Sequence, residues 1–246
     1  TATVYPLLLL ACDQLLPSKR WEFDQFLTVL ESFLMRRMVC GLTSKNYNRL
    51  FLDVIKTLDR ESELTANALK SILQSSEGDS VRFPSDEEFK KSILNRAIYQ
   101  ALAQYKVRAV LEAIDQTQAD RKSENLELPN DLTIEHVMPV NWELNWPIPQ
   151  EYLADAETKL KFAQQRNQLI HTLGNLTLIT GSLNPSLSNG SWQKKRPELA
   201  KYSKLNLNRY FYPFHEGEDL LEDWNENTIV TRGEVLFDSA RQVWPF

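Results

Sequence analysis

The feature that most restricts the fold is a helical spacing of apolar residues that repeats through residues 1–118. In the segment Trp21–Cys40 the apolar residues recur three or four positions apart, and the segment ends at Gly41, a residue typical of helix C-termini. Glycine is otherwise scarce, with seven in 246 residues and none between Gly78 and Gly174. The pattern predicts an α-helical domain.

The pattern changes in the second half of the chain. Short apolar runs rich in β-branched residues predict strands at Leu132–Val137 and Leu176–Thr180, and a helix is predicted over Ser191–Leu205. The expected fold is mainly α with a small β component. The predicted divisions are an α-helical domain (1–118), a polar linker (119–131), a core built on the two strands (132–210) and a closing helical segment (211–246).

Charge is distributed unevenly along the chain. The formal net charge is −5, but residues 159–209 contain nine lysines and arginines and only one acidic residue, Glu198. That segment therefore carries +8 and the remainder −13. A basic island in an acidic protein is typical of a polyanion-binding surface. A solvated helix face is the alternative interpretation.

Composition also argues against several classes of protein. The chain has two cysteines, Cys12 and Cys40, and no CxxC pair, which argues against a disulfide framework or a cysteine-ligated zinc site. No apolar run approaches the roughly 20 residues that span a bilayer. The sequence therefore predicts a protein of the cytoplasm with no membrane partner.

The residues with the clearest chemical potential lie around Ile134–Pro139. His136 is one of only three histidines, and it follows Glu135 directly. A neutral imidazole is the best general base near pH 7 for water that attacks a phosphodiester. Hard divalent cations prefer oxygen ligands, which Glu135 and the amide of Asn184 can supply. Asn175 is expected to orient His136, and Mg²⁺ or Mn²⁺ is the expected metal ion.

Further residues are predicted to support this site. The order of strand, long insertion, strand, loop and helix is that of a ββα-metal nuclease module. The predicted DNA contacts are Arg166, Lys194, Lys195 and Arg196, with capping of a helix C-terminus as the alternative role for Arg166. His171 and Asn189 are predicted to lie behind the catalytic groups. For His171 a structural hydrogen bond to the adjoining loop is the alternative.

Several ordered motifs resemble a known family. They are TIEHVMP at 133–139, HTLGNLTLIT at 171–180, LNPSLSN at 183–189 and WQKK at 192–195, with ESFLMRRMVCG at 31–41 and RGEVLFDSARQVWP at 232–245 outside the core. Together they resemble the C-terminal half of GmrSD-type restriction proteins, which carry an HNH-like (His-Me finger) nuclease domain with an HxxP motif. The resemblance spans nearly the whole chain.

The resemblance implies a metal-dependent DNA endonuclease in bacterial defence against phage, acting on modified or foreign DNA. It makes His136 the general base, Asn175 the middle residue of the motif and Asn184 the distal metal ligand. Glu135 stands where most HNH enzymes have Asp, and Asn184 where many have His. The (D/E)GQQR-like nucleotide motif of the sensor half is absent from this sequence. Sensing is therefore expected to reside on a missing N-terminal domain or a partner subunit.

Two other hypotheses remain open from the sequence. A catalytically degenerate HNH fold would hold DNA or a partner without cleaving it. An all-helical scaffold would use the basic run only as a solvated face and would not retain DNA at low salt.

Overall fold

The computed structural model describes residues 2–61, 63–118, 131–180, 189–201, 205–211 and 221–246, with only the backbone described at 200 and 201. These residues form mainly helices and one two-stranded sheet, as predicted. The helices are α1 (Tyr5–Gln14), α2 (Arg20–Cys40), α3 (Tyr47–Leu58), α4 (Ala66–Gln74), α5 (Asp86–Asn95), α6 (Ile98–Ala101), α7 (Gln104–Thr117), α8 (Ala156–Leu169), α9 (Trp192–Lys201) and α10 (Glu226–Val243). The strands are β1 (Leu132–His136) and β2 (Leu176–Thr180).

The first compact unit comprises Thr1–Phe89 and Arg241–Phe246. Residues at the ends of two of its helices have the conformation or hydrogen bond typical of helix caps. Helix α2 ends at Gly41, whose φ of 75° is the left-handed conformation that glycine adopts without strain. Thr65 accepts a hydrogen bond from the amide of Ala68 and so caps α4. The apolar faces of α1 to α4 form one core, in which Phe26, Phe33, Leu69 and Leu73 have no exposed surface.

Two adjacent arginines are fully buried in this first unit. Arg36 donates to the carbonyl oxygen of Trp244 at 2.7 Å and pairs with Asp86 at 2.5 Å. Arg37 donates to the Tyr47 hydroxyl and to backbone carbonyl oxygens. Because a buried cation is costly unless it is hydrogen-bonded, these contacts explain how α2 carries two charges into the core.

The second compact unit comprises Lys90–Ala240 and contains the sheet. Strands β1 and β2 are antiparallel, with Leu132 opposite Thr180 and His136 opposite Leu176. Their bounds agree with the predicted strands, except that β1 ends one residue earlier. A long insertion that includes α8 connects them, and α9 follows β2 in the chain. The order of strand, insertion, strand and helix is therefore the predicted one.

The division into units differs from the predicted domain boundary at residue 118. Helix α7 belongs to the second unit because it packs against both strands. Its buried residues Val107, Val110, Leu111 and Ile114 supply the apolar face for that contact. The predicted linker lies outside the described residues, apart from Asp131. No helix in the described part of the chain is long and apolar enough to cross a membrane.

Candidate active site

The imidazole of His136 lies at the end of β1, where the strand leaves the sheet. His136 is 9% exposed. Its ring packs edge-on against Tyr99 with the ring centroids 4.4 Å apart. Its Nε2 lies 3.2 Å from Nδ1 of His171, within hydrogen-bond distance. The candidate base is thus held between two rings and keeps a small exposed surface.

Both histidines are neutral near pH 7. Burial is the main cause that lowers the pKa of His136 to about 3, and the electrostatic effects of nearby His171 and Lys195 act in the same direction. Burial also lowers the pKa of His171. A neutral imidazole has one N–H donor and one nitrogen lone pair. In the contact between the rings, one histidine supplies the N–H and the other supplies the lone pair. When Nε2 of His136 is the donor, its Nδ1 keeps a lone pair that can accept a proton.

Asn175 has no exposed surface and connects the two ends of the insertion. Its Oδ1 accepts from the amide of Met138 at 2.8 Å and from Nε1 of Trp224 at 2.9 Å. Its Nδ2 donates to the carbonyl oxygens of Met138 at 2.8 Å and Ile170 at 2.9 Å. Asn175 therefore holds the chain at Met138, two residues beyond His136.

Glu135 and Lys195 form a buried ion pair next to the backbone of His136, the last residue of β1. Nζ of Lys195 lies 2.5 Å from Oε1 of Glu135 and 2.6 Å from the carbonyl oxygen of His136. Burial raises the pKa of Glu135 and lowers the pKa of Lys195. The ion pair acts in the opposite direction, because the ammonium lowers the pKa of Glu135 and the carboxylate raises the pKa of Lys195. The predicted DNA contact of Lys195 is corrected here, because an ammonium with no exposed surface cannot reach a phosphate.

Arg166 is also buried, which corrects its predicted contact with DNA. Its guanidinium donates to the carbonyl oxygen of Trp146 at 2.6 Å and forms an ion pair with Glu226. It stacks over Trp142 and Phe162, with its Cζ 4.5 and 4.8 Å from the two ring centroids. Arg166 therefore joins α8 to the start of α10 and stabilises the insertion.

The remaining predicted residues are spread over the second unit. Lys194 is exposed on α9, and Arg196 is half-buried and donates to the carbonyl oxygen of Phe211 at 3.3 Å. Asn189 is exposed, and its carbonyl oxygen accepts from Asn145 at 2.6 Å. Asn184 lies outside the described residues. The structure thus brings together His136, Asn175, His171 and Glu135, while the DNA contacts of Lys194 and Arg196 stay predictions.

A family model covers the region that contains these residues. The model of GmrSD restriction endonucleases, C-terminal domain, matches residues 83–239, which is more than half of the chain. The chain belongs to this family. The resemblance inferred from the motifs is therefore confirmed. A search of curated proteins found no match.

Membership in the GmrSD C-terminal domain family supports a restriction endonuclease role with DNA as the substrate. The matched region begins before α5 and ends within α10, so it includes α7 and both strands. It also includes every residue described above around His136.

Three residues of this GmrSD-type site were missed or undervalued by sequence reasoning. Tyr99 contacts both histidine rings, but no motif surrounds it. Trp224 also lies in none of the motifs, and its indole N–H donates to Oδ1 of Asn175. Arg232 is fully buried, donates to the carbonyl oxygens of Gly174 and Leu176 at 2.8 and 2.6 Å, and stacks on Phe211. Only Arg232 had a sequence signal, since it opens the C-terminal motif that resembles the family.

The family resemblance implies a metal ion with Glu135 and Asn184 among its ligands. Of the two predicted ligands, Asn184 is outside the described residues and Glu135 is bonded to Lys195. Within the part of the chain that the structure describes, no group of three or more His, Cys, Asp or Glu side chains could hold a metal ion. The described residues therefore contain no metal site built from three such side chains.

Gly174 allows the turn before β2 to pack directly against the backbone of α10. A Cβ at this position would lie 2.2 Å from the carbonyl oxygen of Ile229. We expect Gly174→Ala to lower the free energy of unfolding by about 3 kcal/mol, because neither backbone can move aside. Thermal unfolding measures this as a melting temperature roughly 6 to 12 °C lower.

Gly233→Ala is the matched control for this prediction. A Cβ at Gly233 would lie 2.7 Å from Cδ2 of Leu94, a terminal methyl group that can rotate away. Alanine also has the higher helix propensity, by about 1 kcal/mol, which offsets the contact. We therefore expect a near-neutral change. Equal losses for the two variants would contradict the backbone contact at Gly174.

Proposed function

We propose that the chain is a metal-dependent DNA endonuclease, the effector domain of a bacterial restriction or anti-phage defence protein, with His136 as its general base. The proposal includes an HNH-like ββα-metal (His-Me finger) module built from β1, β2 and α9. The protein would cut one or both strands of DNA in the cytoplasm. An N-terminal nucleotide-binding sensor domain or a partner subunit would select modified or phage DNA.

The observation that supports the proposal best is the imidazole of His136 at the end of β1, which is neutral and is fixed by contacts with His171 and Tyr99. Burial lowers the pKa of His136 to about 3, so the ring is uncharged at neutral pH and has a nitrogen lone pair. Because a low pKa makes the ring a weak base, the attacking water would have to be acidified by the proposed metal ion. His171 bonds to one ring nitrogen at 3.2 Å, and this contact can set the tautomer that leaves the other nitrogen basic. Asn175 holds the backbone that follows.

The proposed reaction uses His136 as the base. Water attacks the phosphorus atom while His136 takes one of its protons, and the bond from phosphorus to the 3′ oxygen breaks. The products are a 5′-phosphate and a 3′-hydroxyl, whose oxygen takes its proton from solvent. A bound Mg²⁺ or Mn²⁺ would stabilise the charge that develops on the phosphate and the leaving oxygen. Asn184 remains the proposed ligand.

Cleavage of supercoiled plasmid tests both parts of this proposal. We expect nicked or linear DNA with Mg²⁺ or Mn²⁺, at least a 100-fold lower rate after the metal is removed with EDTA, and restoration when metal is returned. Equal cleavage with and without EDTA would remove the metal requirement. Equal cleavage by the wild type and His136→Ala would remove the catalytic role of His136.

A binding module without nuclease activity is the second candidate function. It is favoured by one observation, the bond between Glu135 and Lys195, which occupies a predicted metal ligand. This candidate predicts that DNA is retained at about 50 mM salt, that retention falls as salt rises, and that no metal ion produces cleavage. Cleavage that depends on His136 would reject it.

A further inference from the structure

The ammonium of Lys195 lies where the sequence places a metal ion, beside the carboxylate of Glu135. Its Nζ is 2.5 Å from Oε1 of Glu135 and 2.6 Å from the carbonyl oxygen of His136. The side chain of Lys195 has no exposed surface, and that of Glu135 is 9% exposed. Two oxygens at the end of β1 therefore already share one positive charge. Oxygen atoms in such an arrangement are also what a hard cation prefers.

A divalent ion at the same oxygen would meet strong repulsion. Metal–oxygen bonds of Mg²⁺ are about 2.1 Å long, so an ion bound to Oε1 could lie no further than about 4.6 Å from Nζ of Lys195. Like charges at that separation repel strongly in a buried site, where the dielectric constant is low. A metal ion could bind Oε1 only if Lys195 moved away.

The packing of α9 keeps Lys195 in place. Trp192 and Leu199 lie on the same helix, and both are buried in the core of the second unit. The amide of Lys195 donates to the carbonyl oxygen of Ser191 at 2.9 Å in the first turn. Withdrawal of the ammonium would leave Glu135 buried and unpaired, which is unfavourable.

We infer that Lys195, and not a divalent metal ion, is the cation bound at Glu135, and that Lys195 positions His136 by binding its carbonyl oxygen. The positioning role depends on the proposed function of His136, whereas the identity of the cation does not. Any metal ion used in cleavage would then be held by ligands other than Glu135.

Direct binding of Mn²⁺, measured by isothermal titration calorimetry, tests the identity of the cation. Glu135→Gln keeps an oxygen that can accept from Lys195 and removes the negative charge. We expect the Kd for Mn²⁺ to differ by less than twofold between the wild type and this variant. Even groups that only support a metal ligand change metal affinity 10- to 100-fold, so a loss of tenfold or more would overturn the inference. If neither protein binds Mn²⁺, Glu135 is no ligand, and the metal dependence of the proposed function fails instead.

Thermal unfolding tests whether the pair exists in solution. Lys195→Met leaves Glu135 buried without a partner, and we expect the melting temperature to fall by roughly 10 °C. The double variant Glu135→Gln/Lys195→Met has no unpaired charge and should recover at least half of that loss. Lys194→Met, at the neighbouring exposed lysine, is the control and should change the melting temperature by about 2 °C or less. Similar effects at Lys194 and Lys195 would overturn the inference.

Steady-state cleavage of DNA by the folded double variant tests the positioning role. Without the bond from Lys195 to the His136 carbonyl oxygen, we expect kcat to fall by about tenfold with KM unchanged, because a displaced base slows the chemical step without weakening the binding of DNA. Unchanged kcat would show that Lys195 is purely structural. Absence of cleavage by the wild type would contradict the proposed function, and the Mn²⁺ and unfolding measurements would still decide the identity of the cation.

Discussion

Replacing His136 with alanine is expected to lower the rate of plasmid cleavage by roughly 100- to 10 000-fold, the range that a general base contributes. The imidazole is neutral because of its burial, and one of its nitrogens is bonded to His171. Alanine removes the imidazole nitrogen that takes the proton of water in the proposed reaction. We expect the loss in kcat, with DNA affinity retained, because Lys194 and Arg196, the proposed DNA contacts on α9, are unchanged.

Two further variants separate catalysis from folding. His136→Gln keeps an amide that can donate to His171 but cannot serve as a base, so it should lose as much activity as alanine while remaining folded. His171→Ala removes a supporting contact only, and we expect about a tenfold loss. Melting temperatures show whether each variant is folded. Full activity of a folded His136→Gln variant would show that another group activates the water.

Replacing Asn175 with alanine is expected to have the largest effect on stability. The amide of Asn175 makes four hydrogen bonds with no exposed surface, to both backbone groups of Met138, to Ile170 and to Trp224. Truncation leaves two buried donors and two buried acceptors without this partner. At 1–3 kcal/mol for each unsatisfied donor, the free energy of unfolding should fall by about 4 kcal/mol. This corresponds to a melting temperature roughly 8 to 16 °C lower.

Asn208→Ala provides a matched control for this prediction. Asn208 is equally buried, and among the described residues its side chain bonds only to Thr177 at 2.6 Å and to the Leu178 carbonyl oxygen at 3.1 Å. We expect about half the loss of stability, and little change in kcat once the protein is folded. Asn175→Ala should also lose activity below its melting temperature, because the chain after His136 is released. A smaller loss of stability at Asn175 than at Asn208 would contradict the bonding described here.

Local patterns predicted most of the fold because their causes are local. The spacing of apolar residues in α2 depends only on the helical repeat, and Gly41 ends that helix through its own conformational freedom. Strand β2 was predicted residue for residue from its β-branched pattern. The motifs around His136 and Asn175 likewise predicted a family that the match over residues 83–239 confirms.

The domain boundary was not predictable in this way. Helix α7 has the same amphipathic pattern as the helices before it, and the pattern does not reveal which surface it will cover. Only the structure shows that its apolar face packs on the sheet. The contact of Tyr99 with His136 was not predictable for the same reason, because the two residues are 37 positions apart in the sequence and only the tertiary structure brings them together.

The sequence by itself determined which residue types were present, their helical and strand periods, and the motif with His136 and Asn175, since these depend on neighbouring positions. The tertiary structure decided which charges are buried. Lys195 and Arg166 look like solvated cations in a basic run, yet each is enclosed by partners about 60 positions away, Glu135 and Glu226. A charge is buried only when folding brings a partner to it, and that partner is not encoded in the local pattern.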